Sequence, residues 1–489
     1  MAGIPRCNSV LDHWYPSGLI FTYHIQDTLM NIHDRANIEI RGKKIVILGL
    51  ALSGVAAAKL AAHLGADVFV SDNQETSELQ GTLTDLKELG IDGELGQHSN
   101  QIYDADLWII SPGIAQDSEL IQKGQQYKDI SIVSEIEFAS WFTESPILAI
   151  TGSNGKTTTS HLLAEMIQTD DIHGQLAGNV GIPFSAMVLK DLVNPDSKRV
   201  WILEISSFQM EFITHFKPYI SILLNISPDH LNRYPSMKEY IAAKMKMWSQ
   251  QTVKDFIVYN ADDTILVEEI AESASRKIAF GLGYHPEAIF QPNRTKIYTE
   301  ENATLIEMNQ LALPGKHNLA NALAAATAAH LMGIPNKLIS ATMSQFSGVP
   351  HRLESIAEID GVTYINDSKA TNLDAVQVAL KSFSQPIILL LGGLDKGGDF
   401  RSLLPHTHNN LKEVIAFGQA KELILTALRD AVRSTSVMDL KKALELAQNC
   451  SQPGDVVLLS PGCASFDQFK NFEERGNYFR SQVIVMEKT

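Results

Sequence analysis

A run of residues with the composition of a phosphate-binding loop lies in the first third of the chain. Residues 150–160 read ITGSNGKTTTS and follow the apolar residues 147–149 directly. The backbone N–H groups of such a turn, and the N-terminus of the helix that it opens, can bind phosphate oxygens. Lys156 would add a positive charge, and the Thr157 hydroxyl could reach a Mg²⁺ ion. Ile150 occupies the position of the first glycine in the usual motif, so the loop is shortened. A turn that serves only packing is the alternative.

Two polar residues follow apolar segments that read as later strands. Glu204 ends VWILE, and His230 follows SILLN within SPDHLNRY. A buried carboxylate is costly unless it is paired or bound to a metal, and Mg²⁺ prefers oxygen ligands. Glu204 is therefore a candidate metal ligand. His230 is a weaker candidate, because a histidine after a strand is often only hydrogen-bonded.

A lysine lies within a predicted helix, in YIAAKMKMW. Tyr240, Ala243, Met247 and Trp248 form an apolar stripe on this helix. Spacing alone favours Lys244 as a surface residue whose aliphatic stem lies along the apolar surface while the ammonium reaches water.

An earlier glycine turn, GLALSG at residues 49–54, has the outline of a dinucleotide fingerprint, with Asp72 as the ribose acid. Ala51 replaces the middle glycine, which normally lets the backbone approach a pyrophosphate. This replacement argues against NAD. A different nucleotide and a purely structural turn both stay open.

The arrangement of apolar runs predicts an α/β protein with about three domains. Strands that are almost continuously apolar alternate with helices, as in parallel sheets covered on both faces. We predict an irregular extension over residues 1–40, with Met30 as a possible alternative start, and domains over 41–134, 135–349 and 350–489. Ligands of such sheets bind beyond the carboxyl ends of the strands, where the polar clusters fall.

Composition excludes several classes of protein. The chain has 489 residues, 45% hydrophobic and 20% charged, and a formal net charge of −16. An acidic chain is a poor general nucleic-acid binder, and the sequence has no apolar run of the ~18 residues that a membrane helix needs. The three cysteines fit neither a disulfide framework nor a zinc site. We expect a cytoplasmic protein without a secretory signal, not inserted in a membrane and monomeric.

Several long segments together resemble one family. The segments TGSNGKTT, LEISSFQME, NISPDHLNRYPSMKEYIAAK and LPGKHNLANALAA are similar to those of the Mur ligases, ATP-dependent amide-forming enzymes of bacterial cell-wall precursor synthesis. The segments GVPHRLE, INDSKATN, LLLGGLDKGGDF and LLSPGCASFDQFKNFEERG resemble the members that add D-glutamate to UDP-N-acetylmuramoyl-L-alanine. The resemblance covers residues 43 to about 485 and leaves the first 40 without an implied role.

The resemblance implies a Rossmann-like domain for the uridine nucleotide, a central ATPase-like domain with a phosphate loop, and a Rossmann-like C-terminal domain that binds D-glutamate. It implies ATP-binding residues, which are Gly152, Asn154, Gly155, Lys156, Thr157, Thr158, Asn318, Asn321, Arg352 and Asp367. It implies contacts with UDP-N-acetylmuramoyl-L-alanine from Leu52, Ser53, Asp72, Gly113, Asn179 and His230. The implied D-glutamate residues are Thr371, Lys396, Ser465, Phe466 and Phe472. Phe466 stands where a smaller apolar residue is common in the family.

The resemblance also implies a metal centre and a modified lysine. Two Mg²⁺ ions would be held near Thr157, Glu204, His230 and Lys244, and Lys244 would carry a CO₂-derived carbamate. The implied catalytic residues are Lys156, Glu204, His230, Lys244 and Lys369. The carboxylate of L-alanine would be phosphorylated by ATP, and the D-glutamate amine would displace the phosphate. The base that deprotonates this amine is not evident, and His230 is a candidate.

The C-terminal domain would close over the reaction about a hinge near residues 347–351. Two rival interpretations remain. One is a sister ligase or a folylpolyglutamate-synthase-like enzyme with another amino acid, although SPGCASFDQFKNF is not expected there. The other is a nucleotide-binding regulator, against which Glu204, His230 and Lys244 argue.

Overall fold

The computed structural model describes residues 38–127, 130–179, 181–227, 233–313, 315–346, 348–395, 397–406 and 410–487. Its contacts divide the chain into a first unit that ends at Gln345 and a second that begins at Phe346. His230, Lys396, Ser347 and most of the predicted extension, including Met30, lie outside the described residues. Within the described ranges, no helix has the length and apolar composition needed to cross a membrane.

The first unit begins with a five-stranded parallel sheet in the order β3-β2-β1-β4-β5. Its elements are β1 Lys44–Leu48, α1 Leu52–His63, β2 Asp67–Asp72, α2 Ser77–Glu88, β3 Asp92–Leu95, β4 Leu107–Ile110, α3 Glu119–Gly124, β5 Ser131–Ser134 and α4 Glu135–Ser140. A 3₁₀ turn covers Asn100–Tyr103. The order reverses between β1 and β4, and such a switch point opens a crevice beyond the strand ends.

A six-stranded parallel sheet follows, in the order β11-β10-β9-β6-β8-β7. Its elements are β6 Ile147–Thr151, α5 Lys156–Met166, β7 His173–Gly178, α6 Phe184–Val193, β8 Arg199–Glu204, α7 Ser207–Met210, β9 Ile220–Leu223, α8 Met237–Met245, β10 Phe256–Asn260, α9 Thr264–Glu269 and β11 Arg276–Phe280. A 3₁₀ turn at Lys246–Trp248 follows α8. Strand β6 lies between β8 and β9, so the carboxyl ends of these three strands are neighbours.

The first unit ends with a small sheet and two helices. The elements are β12 Phe290–Pro292, β13 Lys296–Thr299, β14 Thr304–Glu307, α10 Lys316–Leu331 and α11 Asn336–Gln345, with a 3₁₀ turn at Met308–Gln310. The antiparallel sheet β12-β13-β14 was not predicted, because its strands have only three or four residues and lack a sustained apolar run. The alanine-rich α10 was predicted, and it packs against α5.

The second unit contains a six-stranded sheet in the order β15-β16-β20-β17-β18-β19. Its elements are β15 Glu354–Ile359, β16 Val362–Asn366, α12 Leu373–Lys381, β17 Ile387–Gly392, β18 Leu411–Phe417, α13 Lys421–Leu428, β19 Ser434–Ser436, α14 Leu440–Cys450, β20 Val456–Leu459 and α15 Phe472–Glu487. A 3₁₀ helix covers Phe400–His406. Strand β15 is an antiparallel edge strand, and the other pairs are parallel.

The predicted α/β class with parallel sheets is confirmed. The apolar runs predicted as strands are strands buried on both faces, such as β4, β6 and β17. The boundaries predicted at residues 40, 134 and 349 stay a prediction, because the contacts divide the chain only between Gln345 and Phe346.

Candidate functional site

The predicted phosphate loop joins β6 to α5. Gly155 precedes α5 with φ of 86°, a conformation that glycine adopts at little cost. A Cβ at this position would clash with the side-chain oxygen of Asn321 on α10. The loop and α10 are therefore in close contact, and Asn321 stays a predicted nucleotide ligand.

The ammonium of Lys156 lies over the loop itself. It donates to the carbonyl oxygens of Gly152 at 2.7 Å and Ser153 at 3.0 Å. Thr157 is buried, and Thr158 is half-buried in the same first turn of α5. Positive charge, the helix N-terminus and a hydroxyl thus share one location, which is the arrangement that binds phosphate.

The segment after β9 holds the phosphate loop in place. The Asn154 N–H donates to Asn225 Oδ1 at 2.8 Å, and Asn225 Nδ2 donates to the Asn154 carbonyl at 3.1 Å. Ser153 Oγ accepts from the Ser227 N–H at 2.9 Å and lies 2.9 Å from the Tyr240 hydroxyl. The sequence did not single out Asn225, although it lies two residues after the apolar strand β9.

Glu204 ends β8, beside the loop. Strand β8 stops there because Ser206 and Gln209 form a capping box that begins α7. Glu204 is 1% exposed, and its Oε1 accepts from Asn179 Nδ2 at 2.9 Å. Its Oε2 is buried without a hydrogen-bond partner among the described residues. An unpartnered buried carboxylate oxygen is suited to bind a cation.

Lys244 is buried, contrary to the surface position that its spacing favoured. The side chain is 2% exposed, and Nζ lies 3.1 Å from the Gly152 carbonyl and 3.4 Å from Thr151 Oγ1. The ammonium also lies 4.9 Å from the centre of the Tyr240 ring. Helix α8 directs Lys244 under the phosphate loop, so the lysine side chain is buried on the same side of the helix as the apolar residue Tyr240.

The metal centre fits the described residues in part. Glu204 provides a free oxygen and Thr157 a buried hydroxyl, while Lys244 lies under the loop. No trio of His, Cys, Asp or Glu side chains within the described ranges is arranged to hold a metal ion. The predicted fourth residue, His230, lies outside those ranges.

A cavity of about 870 Å³ adjoins the start of α10. Arg294 and Asn309, near the small antiparallel sheet, line it together with Lys316. Asn318 is half-buried and lies between Lys316 and Leu319, which both line the cavity, and Asn321 follows one turn later. Sequence reasoning missed this cavity, because the strands that border it were not predicted.

A second cavity, of about 700 Å³, lies beyond the carboxyl ends of β1 and β2 in the first sheet. Leu52 and Asp72 line it, and Pro183 and Ala186 at the start of α6 close its other side. Asp72 accepts from the N–H groups of Leu50 at 2.7 Å and Gln74 at 2.9 Å, so its carboxylate holds two turns of the cavity wall.

The first glycine turn is shaped by its neighbours. A Cβ at Gly54 would overlap the Gly49 carbonyl, so α1 approaches the turn closely. Ser53 is half-buried at the start of α1, and Gly113 is exposed after β4. Of the residues predicted for the uridine substrate, Leu52 and Asp72 thus share a cavity, whereas Asn179 contacts Glu204.

In the second unit, polar residues follow the neighbouring strands β16 and β20. Asp367 accepts from Ser460 Oγ at 2.8 Å and from the Leu353 N–H at 3.2 Å, and burial raises its pKa to about 7. The Lys369 N–H donates to the His351 carbonyl at 3.0 Å. Asp367 therefore connects the turn that contains Arg352, which is exposed, to β20.

The predicted D-glutamate residues differ in exposure. Ser465 is 2% exposed and Thr371 is half-buried, whereas Phe466 is 67% exposed. Phe472 is half-buried, and its carbonyl accepts from Ser368 Oγ at 2.8 Å. Lys396 follows β17 and lies outside the described residues.

Arg475 connects the two segments that contain these residues, and sequence reasoning did not select it. The fully buried guanidinium donates to Ser368 Oγ at 3.0 Å, the Ser368 carbonyl at 2.9 Å and the Cys463 carbonyl at 3.1 Å. Burial lowers the pKa of Arg475 to about 10. Lys369 follows Ser368 directly and Ser465 lies two residues after Cys463, so one side chain orders both segments.

Three family patterns match the chain. Residues 43–134 match the Mur ligase MurD-like N-terminal domain, residues 150–329 match the Mur ligase middle domain, and residues 351–463 match the Mur ligase glutamate ligase domain. The middle-domain match contains the phosphate loop, Glu204 and Lys244. The C-terminal match contains Asp367 and Lys369.

Similar proteins extend over nearly the whole chain. The UDP-N-acetylmuramoylalanine–D-glutamate ligase of Salinibacter ruber is 40% identical over 467 residues, 92% of this chain and 99% of the relative. That of Christiangramia forsetii is 40% identical over 450 residues, 90% of this chain and 99% of the relative.

Solved structures agree in fold. The MurF ligase of Thermotoga maritima in complex with ADP has a TM-score of 0.53 at 15% identity, covering 93% of this chain and 99% of that one. The UDP-N-acetylmuramate-alanine ligase MurC of Thermotoga maritima has a TM-score of 0.51 at 20% identity, covering 91% and 100%. Together with the three matched domains and the 40% identity to the relatives, this shows that the chain belongs to the Mur ligase family.

Proposed function

We propose that this chain is an ATP-dependent ligase that joins D-glutamate to UDP-N-acetylmuramoyl-L-alanine in peptidoglycan precursor synthesis, in the cytoplasm. The observation that carries the proposal is the convergence of the phosphate loop, Glu204 and Lys244 at neighbouring strand ends. This convergence occurs in a chain whose relatives, at 40% identity, are named for that reaction.

The phosphate loop would bind the triphosphate of ATP. Loop N–H groups, the Lys156 ammonium and the α5 N-terminus supply positive potential at one place, and Asn225 and Ser227 hold the loop there. Asn318 and Asn321 lie at the adjoining end of α10 and would contact the nucleotide. Arg352 and Asp367, in the second unit, stay predicted nucleotide ligands.

The reaction would proceed in two substitutions. An oxygen of the L-alanine carboxylate forms a bond to the γ-phosphorus of ATP, and the bond to the departing ADP oxygen breaks. The D-glutamate amine then attacks the acyl carbon of this acyl phosphate, expels phosphate and loses a proton. Lys156 and the helix N-terminus would stabilise the charge that develops during the first substitution.

Magnesium, when bound, would neutralise charge on the phosphate oxygens. Glu204, Thr157 and a carbamylated Lys244 would hold it. Only a neutral lysine amine reacts with CO₂, and the product is an anion suited to a cation. The buried position of Lys244 beside the loop supports this role.

The cavity at the first sheet is the proposed site of the uridine nucleotide. Leu52 and Asp72 line it, and Pro183 at the start of α6 places it beside the second sheet. A substrate bound there would extend toward Asn179, which contacts Glu204. Thr371, Lys396, Ser465 and Phe472 stay predicted D-glutamate ligands, and Phe466 is exposed enough to contact a ligand.

The test is phosphate release by the purified full chain with ATP, Mg²⁺ and UDP-N-acetylmuramoyl-L-alanine. D-glutamate should stimulate release, and mass spectrometry should detect a product with one added glutamate. L-glutamate, L-alanine and meso-diaminopimelate serve as matched controls. Stimulation by one of these controls and not by D-glutamate would assign a sister activity and refute the proposal. Release without any amino acid dependence would favour a nucleotide switch.

A further inference from the structure

Arg233 lies in contact with the turn after β4 in the first sheet. Its Nη1 donates to the Gly113 carbonyl at 3.3 Å, and its Nη2 donates to the Ile114 carbonyl at 2.9 Å. This turn borders the switch point of the first sheet, because β4 is the neighbour of β1. Gly113 is a predicted contact of the uridine substrate, so the guanidinium holds a turn at which that substrate is proposed to bind.

The same guanidinium is fixed from the side of the second sheet. Its Nε and Nη2 donate to Glu211 Oε1 at 3.1 Å and Oε2 at 2.8 Å. Its carbon Cζ lies 4.5 Å from the centre of the Phe208 ring. Glu211 is 4% exposed, so this bidentate ion pair is shielded from water.

The two residues that hold the Arg233 guanidinium, Phe208 and Glu211, lie in the segment that follows Glu204, the candidate metal ligand. Strand β8 ends at Glu204, α7 follows within three residues, and Phe208 and Glu211 lie on and directly after α7. Arg233 thus connects the Gly113 turn to the segment that starts at Glu204. A second hydrogen bond connects the first sheet to the same segment, because the Ser134 N–H at the end of β5 donates to the Phe212 carbonyl at 3.1 Å.

We propose that Arg233 is a positioning residue that sets the spacing between the Gly113 turn, a predicted contact of the uridine substrate, and the phosphate-transfer site. The inference rests on the proposed function, because one substrate must then reach from the proposed uridine site at the first sheet to the phosphate loop. A planar guanidinium can pair with a carboxylate and with two carbonyls at once, whereas an ammonium has no such fork. Arginine, rather than a positive charge alone, is required for this link.

The variant Arg233→Lys tests the link while it preserves the fold. Lysine keeps an ion pair with Glu211, so the buried carboxylate is not left without a partner, but it loses the contacts to the turn. We expect the KM for UDP-N-acetylmuramoyl-L-alanine to rise at least about tenfold, because both hydrogen bonds to the turn are lost. The KM values for ATP and D-glutamate should stay as in the wild type.

Arg276 provides a matched control. It also lies over an aromatic ring, 4.4 Å from the centre of Phe256, and donates to the Val253 and Lys254 carbonyls at 2.9 and 3.1 Å. These contacts lie at the amino end of β11, whereas Leu282, which lines the 870 Å³ cavity, follows the carboxyl end of that strand. Arg276→Lys should change none of the three KM values.

Two measurements separate the possible outcomes. Wild-type phosphate release with D-glutamate is measured first, and its absence would count against the proposed function rather than against Arg233. Given an active wild type, an unchanged KM for the UDP-sugar in Arg233→Lys would overturn the inference. An equal rise in all three KM values, or a loss of activity that follows a lowered unfolding temperature, would also overturn it, because either would indicate a general structural role.

Discussion

The amide of Asn225 offers a direct test of how the phosphate loop is prepared for its ligand. It accepts from the Asn154 N–H at 2.8 Å and donates to the Asn154 carbonyl at 3.1 Å, so it fixes both backbone polar groups of Asn154 in the loop. Replacement by alanine removes both bonds. Other contacts, such as Ser153 with Ser227, keep the rest of the loop in place.

The expected magnitude follows from these two bonds. Each contributes about 0.5–1.5 kcal/mol net, and values near the lower end apply here because Asn154 is exposed and water can replace a lost partner. A loss of about 1–2 kcal/mol in the organisation of the loop corresponds to about 5–30-fold weaker nucleotide binding. The free energy of unfolding should fall by a similar amount, about 1–2 kcal/mol, because the folded state loses the same two bonds.

Two assays measure this effect. Initial rates of phosphate release at varied ATP give the KM for ATP, and calorimetry gives the affinity for ADP without turnover. Asn194→Ala is the control, because Asn194 is an exposed amide at the end of α6. Wild-type values of both KM and ADP affinity in Asn225→Ala would refute the reasoning that this amide prepares the loop.

Three further predictions address other parts of the chain. Glu204→Gln keeps an acceptor for Asn179 but removes the negative charge. The Mg²⁺ concentration that gives half of the maximal phosphate-release rate should therefore rise at least about tenfold. An unchanged Mg²⁺ titration would exclude Glu204 as a ligand. Arg475→Lys should raise the KM for D-glutamate and lower the free energy of unfolding by about 1–3 kcal/mol, because lysine cannot donate to all three acceptors of the guanidinium at once. Rate measurements give the KM, and denaturant titration gives the free energy of unfolding. An unchanged KM would show that Arg475 contributes to stability alone. Burial raises the pKa of Glu135 to about 7, so the folded state binds its proton more tightly than the unfolded state and loses stability as the pH rises from about 4.5 through about 7. Glu135→Gln should therefore be more stable than the wild type by about 3 kcal/mol at pH 8 and nearly equal to it at pH 4.5 in denaturant titrations, whereas a pH-independent difference would contradict the assigned cause.

The sequence predicted the local elements and the chemistry at their ends. Apolar runs become strands that are buried on both faces, and the residue after a parallel strand must lie at the edge of the sheet where ligands bind. Glu204 and the loop after β6 follow this rule, which needs only residues adjacent along the chain. Asn225 follows the same rule and could have been selected by applying it to β9.

The sequence alone determined the fold class, the phosphate loop and the candidate carboxylate, because each is encoded by residues that are close in sequence. The tertiary structure decided which of these ends meet, because the order β8-β6-β9 brings β6 between two strands that lie more than 50 residues later in the chain. It also placed Lys244 under the loop, although the helical period of α8 could not distinguish an interior lysine from one at the surface. Burial depends on which surface packs against a helix, and that surface comes from distant parts of the chain.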